Sequence, residues 1–160
     1  MKLIPRNGND EVDTPKPLAQ KIVNYFKPKG LVLEPCRGNG NFTEFMPECD
    51  WCEIKEDVDF FSYHKHPDWI VTNPPYSLMR QFLVHSYEIG AKNIVFLTTT
   101  NHILGMKARL KDMKKYGYCV KELILIDTPP EFPASGFQYC VAHLTKGKMT
   151  KIKITDWRRE

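Results

Sequence analysis

The sequence predicts an α/β fold in which helices flank a mainly parallel, twisted sheet. Apolar segments with strand and helix periods alternate along the 160 residues, with no internal repeat or low-complexity linker between them. Two polar turns, residues 34–42 and 73–76, directly follow predicted strands. Because ligands of such sheets bind beyond the carboxyl ends of the strands, we expect both turns at one functional edge.

The helices are predicted from apolar residues that recur every three or four positions. The first begins after Pro17 and ends at the KPKG sequence. Its apolar face is Leu18, Ile22, Val23 and Phe26. A second helix is predicted over residues 78–90, which end at a glycine. A third is predicted from a single apolar face made of Ile103, Met106, Leu110 and Met113.

The strands are predicted from short apolar or alternating runs that end at turn residues. They are residues 31–34, 50–54, 68–72, 93–99, 122–127 and 137–144. The proline-rich segment 128–136 separates the last two. Strands that alternate with helices in this way are typical of parallel sheets, which supports the predicted fold class.

Length and composition indicate one globular domain over residues 1–160. The 42% hydrophobic content is enough for one core, and little chain remains for a second. No run approaches the roughly 18 apolar residues of a membrane helix. Residues 1–14 lack the apolar region of a secretion signal. We therefore predict a cytoplasmic protein without a membrane partner.

The cysteines and histidines predict neither a disulfide framework nor a metal site. Five cysteines are an odd number in a chain without a secretion signal. Cys49 and Cys52 form a C-x-x-C pair, but a structural zinc site needs a second ligand pair at similar spacing. We interpret both as semi-buried residues of a strand, and His64 and His66 as loop residues.

The net charge of +4 is unevenly distributed, and two interpretations of this are open. Basic residues are concentrated in residues 106–115 and in a C-terminal tail. The tail carries Lys146, Lys148, Lys151, Lys153, Arg158 and Arg159. Such patches suit a polyanionic partner. Alternatively, lysines that alternate with Ile152 and Ile154 protect the edge strand of a sheet.

Residues 73–76 read Asn-Pro-Pro-Tyr and end an apolar strand, as prolines would in any ordinary turn. The turn is also rich in hydrogen-bond acceptors. Asn73 offers a side-chain carbonyl, and the Pro-Pro pair offers carbonyl oxygens without N–H groups. Tyr76 adds a flat stacking surface. A planar ring with an exocyclic amino group, such as adenine, fits these groups.

Residues 34–42 form a glycine turn that begins with an acid. Gly38 and Gly40 are spaced G-x-G, which lets the backbone approach a ligand, and Glu34 can accept a hydrogen bond from it. The third glycine of a dinucleotide fingerprint is absent. This argues against NAD and favours a smaller nucleoside-like ligand.

Together the two turns resemble the S-adenosylmethionine-dependent amino-methyltransferases, specifically the adenine-N6 class found among DNA methyltransferases. The family's cofactor loop reads acid-Pro-x-x-Gly-x-Gly-x-Phe, and its catalytic turn reads Asn-Pro-Pro-Tyr; both stand in this sequence. The resemblance covers about residues 12 to 145. It implies a single-domain Rossmann-like class I methyltransferase fold with a C-terminal antiparallel strand. The implied cofactor is S-adenosyl-L-methionine, and no metal is required.

The resemblance also assigns roles to individual residues. The cofactor-binding residues it implies are Thr14, Pro15, Glu34, Pro35, Cys36, Gly38, Gly40, Phe42, Glu53, Asp59 and Phe60. Glu53 takes the ribose position, and Asp59 or Phe60 lies near the cofactor's adenine. Only a short segment separates Glu53 from Asp59, so one strand and helix of the family are expected to be abbreviated.

The catalytic residues implied by the resemblance are Asn73, Pro74, Pro75 and Tyr76. The Asn73 side-chain oxygen and the Pro74 carbonyl would accept the protons of the target amine, with Tyr76 stacked on the ring. The implied substrate-binding residues are Tyr76, Phe132, Phe137 and Gln138. For Phe132, a place in the core is the alternative.

The substrate is expected to be adenine in nucleic acid, with DNA favoured over RNA. The family's DNA enzymes normally carry a separate target-recognition domain, which residues 1–160 lack, so a separate specificity subunit is a further expected partner. RNA and protein glutamine remain alternatives, because the same turn serves other planar nitrogens. A catalytically silent partner subunit that binds nucleic acid is another, although such proteins usually lose the acceptor turn.

Overall fold

A computed structural model describes residues 12–159. The strands are β1 (Val32–Glu34), β2 (Asp50–Trp51), β3 (Trp69–Thr72), β4 (Asn93–Thr99), β5 (Tyr118–Leu125), β6 (Tyr139–Lys146) and β7 (Lys153–Asp156). They form a seven-stranded sheet in the order β2-β1-β3-β4-β6-β5-β7. The helices are α1 (Lys16–Phe26), α2 (Met79–Glu88), α3 (Thr100–Ile103) and α4 (Lys107–Tyr116).

The sheet is mainly parallel, which confirms the predicted fold class. Strands β2, β1, β3 and β4 pair in parallel, and β7 pairs in parallel with β5. Strand β6 lies between β4 and β5 and is antiparallel to both. The antiparallel strand expected near the C-terminus is therefore β6. The carboxyl ends of β1, β3, β4 and β5 share one edge of the sheet.

Helices cover both faces of the sheet because alternate strand residues point to opposite sides. On one face, Ile22 of α1 packs in a cluster with Val71 and Val95. On the other face, Phe82 of α2 and Met113 of α4 share a cluster with Ile70. Helix α1 begins with a proline near its first position and ends at Lys27, whose φ of 47° is left-handed.

The third predicted helix is wrong as a single element, because the chain forms α3 and α4 instead. The break lies at Gly105, where an added Cβ would stand 2.9 Å from the backbone oxygen of Asn101. Ile103 and Met113 are buried, as expected. Met106 and Leu110 are 42% and 37% exposed, so they do not continue that apolar face.

The strand predicted over residues 50–54 is also too long, since β2 ends at Trp51. A 3-10 turn, Ile54–Glu56, follows, and the Glu53 carboxylate caps it by accepting a hydrogen bond from the Lys55 N–H. Between Glu53 and Asp59 the described chain contains this turn and neither a regular strand nor an α-helix. The expected abbreviation of this region is thus present.

The C-terminal tail supplies the edge strand β7, which confirms the edge-strand interpretation for Lys153 and Ile154. The Lys153 ammonium lies 3.2 Å from the Glu122 carboxylate and donates a hydrogen bond to the Tyr25 hydroxyl at 3.0 Å. Ile154 is 57% exposed. Among residues 12–159, no helix has the length and apolar character needed to cross a membrane.

Candidate active site

A cleft of about 440 Å³ lies at the carboxyl ends of β1 and β3. Its walls are the glycine turn after β1, the segment after β2, the Asn-Pro-Pro-Tyr turn after β3 and residues 12–14, which we call the strap. The volume lies in the range of sites for small molecules and cofactors. Both turns singled out in the sequence therefore contribute to one site.

Three asparagine side chains hold the strap against the two turns. The Asn73 Nδ2 donates to the Val12 carbonyl at 3.0 Å, and the Asn41 Nδ2 donates to the Thr14 carbonyl at 2.7 Å. The backbone N–H of Asn39 donates to Asp13 at 3.3 Å, and its side-chain amide donates to the same carboxylate. The strap thus connects the glycine turn with the turn after β3.

The contact with Val12 determines which way the Asn73 amide faces. Only the NH₂ group can donate to a carbonyl, so this hydrogen bond directs Nδ2 towards the strap. The opposite end of the amide, Oδ1, is the acceptor that remains for a ligand. Asn73 and Pro75 both line the cleft, whereas the buried Pro74 does not.

Tyr76 packs beside the cleft and not in its lining. Its ring lies edge to face with His102, at a centroid distance of 4.9 Å, and 6.4 Å from Tyr139. Its hydroxyl is 3.5 Å from the Leu97 carbonyl, the outer limit of a hydrogen bond. These neighbours hold the ring at the carboxyl end of β4, next to Asn73 in the chain.

Both glycines of the glycine turn have positive φ angles, which residues with a side chain rarely adopt. Gly38 has a φ of 53°, and an added Cβ would stand 2.7 Å from the Asp13 Oδ1. Its N–H donates to the Glu53 Oε2 at 2.7 Å. Gly40 has a φ of 84° and faces Thr43, outside the cleft. The turn is therefore anchored from both sides, by the strap and by Glu53.

Glu34 lies beneath the glycine turn and is fully buried. One oxygen accepts a hydrogen bond from the Cys36 N–H at 2.8 Å. Burial raises the pKa of this carboxyl from 4.5 to about 8, and the Thr72 hydroxyl and the Cys36 N–H offset only part of this. Glu34 does not line the cleft, so direct contact with a cofactor remains a prediction.

Thr14 contributes a buried hydroxyl to the cleft. The residue is 4% exposed, and its Oγ1 has no hydrogen-bond partner in the part of the chain described. A buried hydroxyl without a partner is costly unless a ligand satisfies it. Pro15 is the residue that precedes α1 and does not line the cleft.

A narrow apolar crevice adjoins the cleft and shares Cys36, Ile54 and Pro75 with it. Pro35, Asp59, Phe60, Phe61, Leu78 and Phe82 complete its lining. The Asp59 carboxylate caps the following 3-10 turn by accepting a hydrogen bond from the Phe61 N–H at 3.0 Å. The crevice thus contains four residues expected to bind the cofactor: Pro35, Cys36, Asp59 and Phe60.

The loop before β6 contains Phe132, Phe137 and Gln138, which were expected to bind the substrate but lie outside the cleft. Phe132 is 7% exposed and packs on Tyr139 at 5.5 Å, which favours the alternative that it is a core residue. The Gln138 amide donates to the Ile126 and Tyr139 carbonyls and so holds the loop in place. Phe137 is 54% exposed at the loop tip. None of the three predicted residues of this loop lines the cleft.

Sequence reasoning missed several residues that line the cleft. They are Val12, Asp13, Arg37, Asn39, Asn41, Ile54, Lys55 and Glu56. The Arg37 guanidinium lies 3.8 Å from the centre of the Trp51 ring and forms an ion pair with Glu56. Asn39 and Asn41 alternate with the two glycines, and this was the available signal, because asparagine amides commonly fix turns.

The described residues contain no cluster of three or more histidine, cysteine or carboxylate side chains suited to a metal ion. Cys49 is half-buried and Cys52 is buried, and neither forms a disulfide. Burial raises the pKa of both thiols, to about 11 and about 12. Both are therefore protonated at neutral pH. Neither lies in β2, and Cys52 is 1% exposed, so the interpretation as semi-buried strand residues is wrong except for the partial burial of Cys49.

No protein-family model and no curated protein matches the chain. Solved structures do. One is a chain from a type I restriction-modification system, with a TM-score of 0.70 at 12% identity, covering 92% of this chain and 45% of that one. The chain thus spans less than half of that protein.

Two further structures are matched over a larger share of their length. A putative class I S-adenosylmethionine-dependent methyltransferase from Listeria monocytogenes has a TM-score of 0.63 at 11% identity, covering 94% of this chain and 67% of that one. A putative RNA methyltransferase from Pyrococcus horikoshii has a TM-score of 0.60 at 12% identity, covering 94% and 93%. These likenesses show that the chain has the class I methyltransferase fold, as predicted.

Proposed function

We propose that the protein is an S-adenosylmethionine-dependent N-methyltransferase that acts on the N6 amino group of adenine in DNA. The observation that carries this proposal is the orientation of Asn73. The Val12 carbonyl engages its amide nitrogen, so its oxygen is directed away from the strap, beside a cleft of cofactor size. An acceptor held this way suits a substrate with an N–H to donate.

The residues of the cleft fit this cofactor. S-adenosylmethionine carries a sulfonium and an ammonium, and the lining includes the carboxylates of Asp13, Glu53 and Glu56. The Thr14 hydroxyl needs a partner that a ligand can supply. Each Glu53 oxygen already accepts one N–H and can accept a second hydrogen bond, as a ribose hydroxyl would require. The apolar crevice would take part of the adenine.

The cofactor supplies an electrophilic methyl group when it is bound. The protein must make the target amine nucleophilic, because its lone pair is delocalised into the purine ring. Acceptors on its hydrogens oppose that delocalisation, and we assign this role to the Asn73 Oδ1 and the Pro74 carbonyl. Preorganised positioning accounts for the remaining catalysis, and the contact with Val12 supplies it for Asn73.

Tyr76 is assigned to the target ring. Its contacts with His102 and Tyr139 hold it in one orientation, which reduces the entropy lost when a base stacks on it. Stacking on a base needs only the flat ring of Tyr76, so we assign the function to the ring face. Tyr76→Phe should therefore retain activity, whereas Tyr76→Ala should weaken substrate binding.

Two of the similar structures bear on which nucleic acid is the substrate. The similarity to a type I restriction-modification protein favours DNA and a separate specificity subunit. RNA is the second candidate, because the Pyrococcus horikoshii protein matches over nearly its whole length. Protein glutamine is a third substrate for the same acceptor turn. A silent partner subunit is disfavoured, since Asn73 and the cleft are both present.

The experiment that tests the proposal measures methyl transfer from labelled cofactor to duplex DNA, single-stranded DNA, RNA and protein extract in separate reactions. We expect label in DNA, at the adenine N6. Label in RNA or protein alone would identify one of the alternatives. No label in any pool, with cofactor bound, would support the silent partner.

Asn73→Ala tests the assigned catalytic role. Removal of one preorganised polar contact typically lowers the rate by about 10²–10³. We expect that loss in single-turnover methyl transfer, with cofactor affinity unchanged within a few fold by calorimetry. Asn73→Asp separates the two ends of the amide, because it keeps an acceptor oxygen but places a charged oxygen against the Val12 carbonyl, so it should retain only part of the activity. Full activity in the alanine variant would refute the assignment.

A further inference from the structure

A second pocket, of about 470 Å³, lies at the carboxyl end of β5, between α1 and the residues that follow β7. Trp157, Pro129 and Pro130 form part of its wall, and Lys21 and Arg159 contribute positive charge. It shares no residue with the cleft or with the apolar crevice. The pocket therefore has no part in the catalytic roles assigned above.

Trp157 is a fixed aromatic wall. Its backbone N–H donates to the Leu125 carbonyl at 2.9 Å, and its ring meets Tyr25 edge to face at 5.3 Å. The Lys21 ammonium stands 4.1 Å from the centre of the indole ring. Lys21 is exposed and has a long flexible side chain, so its ammonium can leave the ring. A base stacked on an indole interacts more strongly than an exposed cation does.

The charges around the pocket favour an anionic ligand. Within residues 12–159, neither the Lys21 ammonium nor the Arg159 guanidinium forms an ion pair. The one carboxylate of the lining, Asp127, accepts a hydrogen bond from the Arg159 backbone N–H. The neighbouring Arg158 is engaged by Asp156 and Gln138 and is not available in the same way.

The pocket lies at the same edge of the sheet as the Asn-Pro-Pro-Tyr turn. Strand β5 is three positions from β3 in the sheet order. At about 4.8 Å per strand this is about 14 Å. A stacked nucleic-acid strand rises about 3.4 Å per nucleotide, so the separation corresponds to about four nucleotides. A strand whose adenine lies at Asn73 could reach the pocket along this edge.

We propose that this pocket binds the flanking part of a single nucleic-acid strand, with one base stacked on Trp157 and its phosphates against Lys21 and Arg159. The inference rests on the proposed function, since it extends the substrate from the target adenine to neighbouring nucleotides. When the base binds, the Lys21 ammonium moves from the indole to a phosphate. The pocket then increases affinity without selecting which base is methylated.

The test measures binding of labelled single-stranded oligonucleotides of about four and about twelve nucleotides at one salt concentration. Trp157→Leu keeps an apolar side chain and removes the aromatic face, and it should weaken binding of the longer strand about tenfold. The shorter strand can occupy either the cleft or the pocket but cannot span both, so its binding should weaken less. Trp157→Phe should lie within about threefold of the parent, and thermal unfolding verifies that each variant is folded.

Lys21→Gln gives a second measurement that leaves the aromatic wall intact. Measured over a series of salt concentrations, it should weaken binding of the longer strand and lower the slope of log affinity against log salt by about one. Lys29→Gln is the matched control, because Lys29 is exposed before β1, at the opposite edge of the sheet. Equal effects of the two lysine variants would contradict the assignment.

The outcomes separate this inference from the proposed function. Equal binding of the longer strand by the parent and Trp157→Leu, with methyl transfer observed, overturns the pocket alone. Binding that depends on Trp157 without methyl transfer supports the pocket and contradicts the proposed activity. A parent that binds no strand of either length overturns the pocket and the nucleic-acid substrate together.

Discussion

Gly38 shows how one residue can determine whether the cleft can form. Its positive φ strains any larger residue, and an added Cβ would displace the Asp13 carboxylate that binds the strap to the turn. Gly38→Ala should weaken S-adenosylmethionine binding by more than about tenfold, because the added methyl pushes the strap or the turn outward. Calorimetric titration measures this directly, and loss of the thermal stabilisation that the cofactor gives the parent should accompany it.

Gly117→Ala is the matched control for Gly38→Ala. Gly117 has a φ of 75° and nothing within 4 Å of an added Cβ, so this substitution introduces only the backbone strain. It should lower Tm and leave cofactor affinity unchanged. If both variants bind the cofactor equally well, the close approach of Gly38 to Asp13 has no role in binding.

Glu34 predicts a pH dependence of stability. Its pKa is raised in the folded protein to about 8 from 4.5, so the folded state holds the proton more tightly than the unfolded state. The Glu34 contribution to stability is therefore present at low pH and is lost as pH rises through about 8. With about 1.4 kcal/mol per pKa unit, the loss is a few kcal/mol.

Glu34→Gln removes this titration, so the stability of the variant should fall less than that of the parent between pH 5 and 8. Urea unfolding at a series of pH values measures the difference. Comparison with the parent cancels other titrating groups, including His143, whose pKa burial lowers to about 4. Glu48→Gln, at an exposed position, should follow the parent. Parallel curves for Glu34→Gln and the parent would contradict the raised pKa.

At the scale of elements, β7 is held to the sheet by a polar cluster around Glu122. Burial alone would raise the pKa of this carboxylate, but hydrogen bonds from Thr155, Tyr25 and Lys153 hold it below its ordinary value. The Tyr25 hydroxyl donates at 2.7 Å. Lys153 is part of this cluster, so its charge is paired within the fold and is less available to a polyanionic partner than the other lysines of the tail.

Glu122→Ala should therefore lower the free energy of unfolding by about 1–3 kcal/mol, because the Thr155 and Tyr25 hydroxyls and the Lys153 ammonium lose their bonds to a charged acceptor. Urea unfolding measures this value. Hydrogen exchange across Lys153–Asp156 should also be faster in the variant than in the parent, whereas exchange in β4 should stay the same. Lys121→Ala, at an exposed neighbour on the same strand, should change neither. Unaltered protection of β7 would mean that its backbone pairing suffices.

Hydrophobic periodicity predicted the wrong bounds for two elements, the third helix and the strand over residues 50–54. The apolar spacing that predicted one long helix does not include Gly105, where an added Cβ would meet both the side chain and the backbone oxygen of Asn101. The strand predicted over residues 50–54 ends early for a similar reason, since the Glu53 carboxylate competes for the backbone of the next turn. Both features arise from contacts and leave no trace in hydrophobic spacing.

At the scale of the whole molecule, the proposed substrate leads to a prediction about sequence recognition. Reading bases in duplex DNA needs side chains in a groove, and a single catalytic domain has few surfaces to offer. The isolated chain should therefore methylate a short or relaxed target, or prefer unpaired strands, where extrusion of the base costs less. Sequencing of methylated products measures this. A strict target of five or more base pairs without a partner would contradict it.

Affinity for DNA should then come mostly from lysine and arginine contacts with phosphate and should fall steeply with added salt. The structure refines which side chains can contribute. Lys153 and Arg158 are engaged within the fold, whereas Lys148 and Lys151 are exposed and form no ion pair in the described part of the chain. Neutralising the latter two should lower the salt slope more than neutralising the former two, without changing which adenines are methylated.

The sequence alone determined the fold class and the two turns that contribute to the cleft. Alternating apolar periods specify strands and helices locally, and strands that end in Glu34 and Thr72 direct the turns after them to one edge of a parallel sheet. The resemblance also identified Gly38, Glu53 and Asn73, which line the cleft. These features follow from local conformational preferences, which neighbouring residues in the chain largely determine.

The assembly of the site depends on contacts between residues far apart in the sequence, which are visible only in the folded chain. The hydrogen bond from Asn73 to Val12 joins residues 61 positions apart, and the Gly38 bond to Glu53 spans 15. The same holds for the burial of Glu34 and Phe132 and for the pocket at Trp157. Such contacts depend on which segments the folded chain brings together, and short-range apolar periodicity carries no information about pairs this far apart.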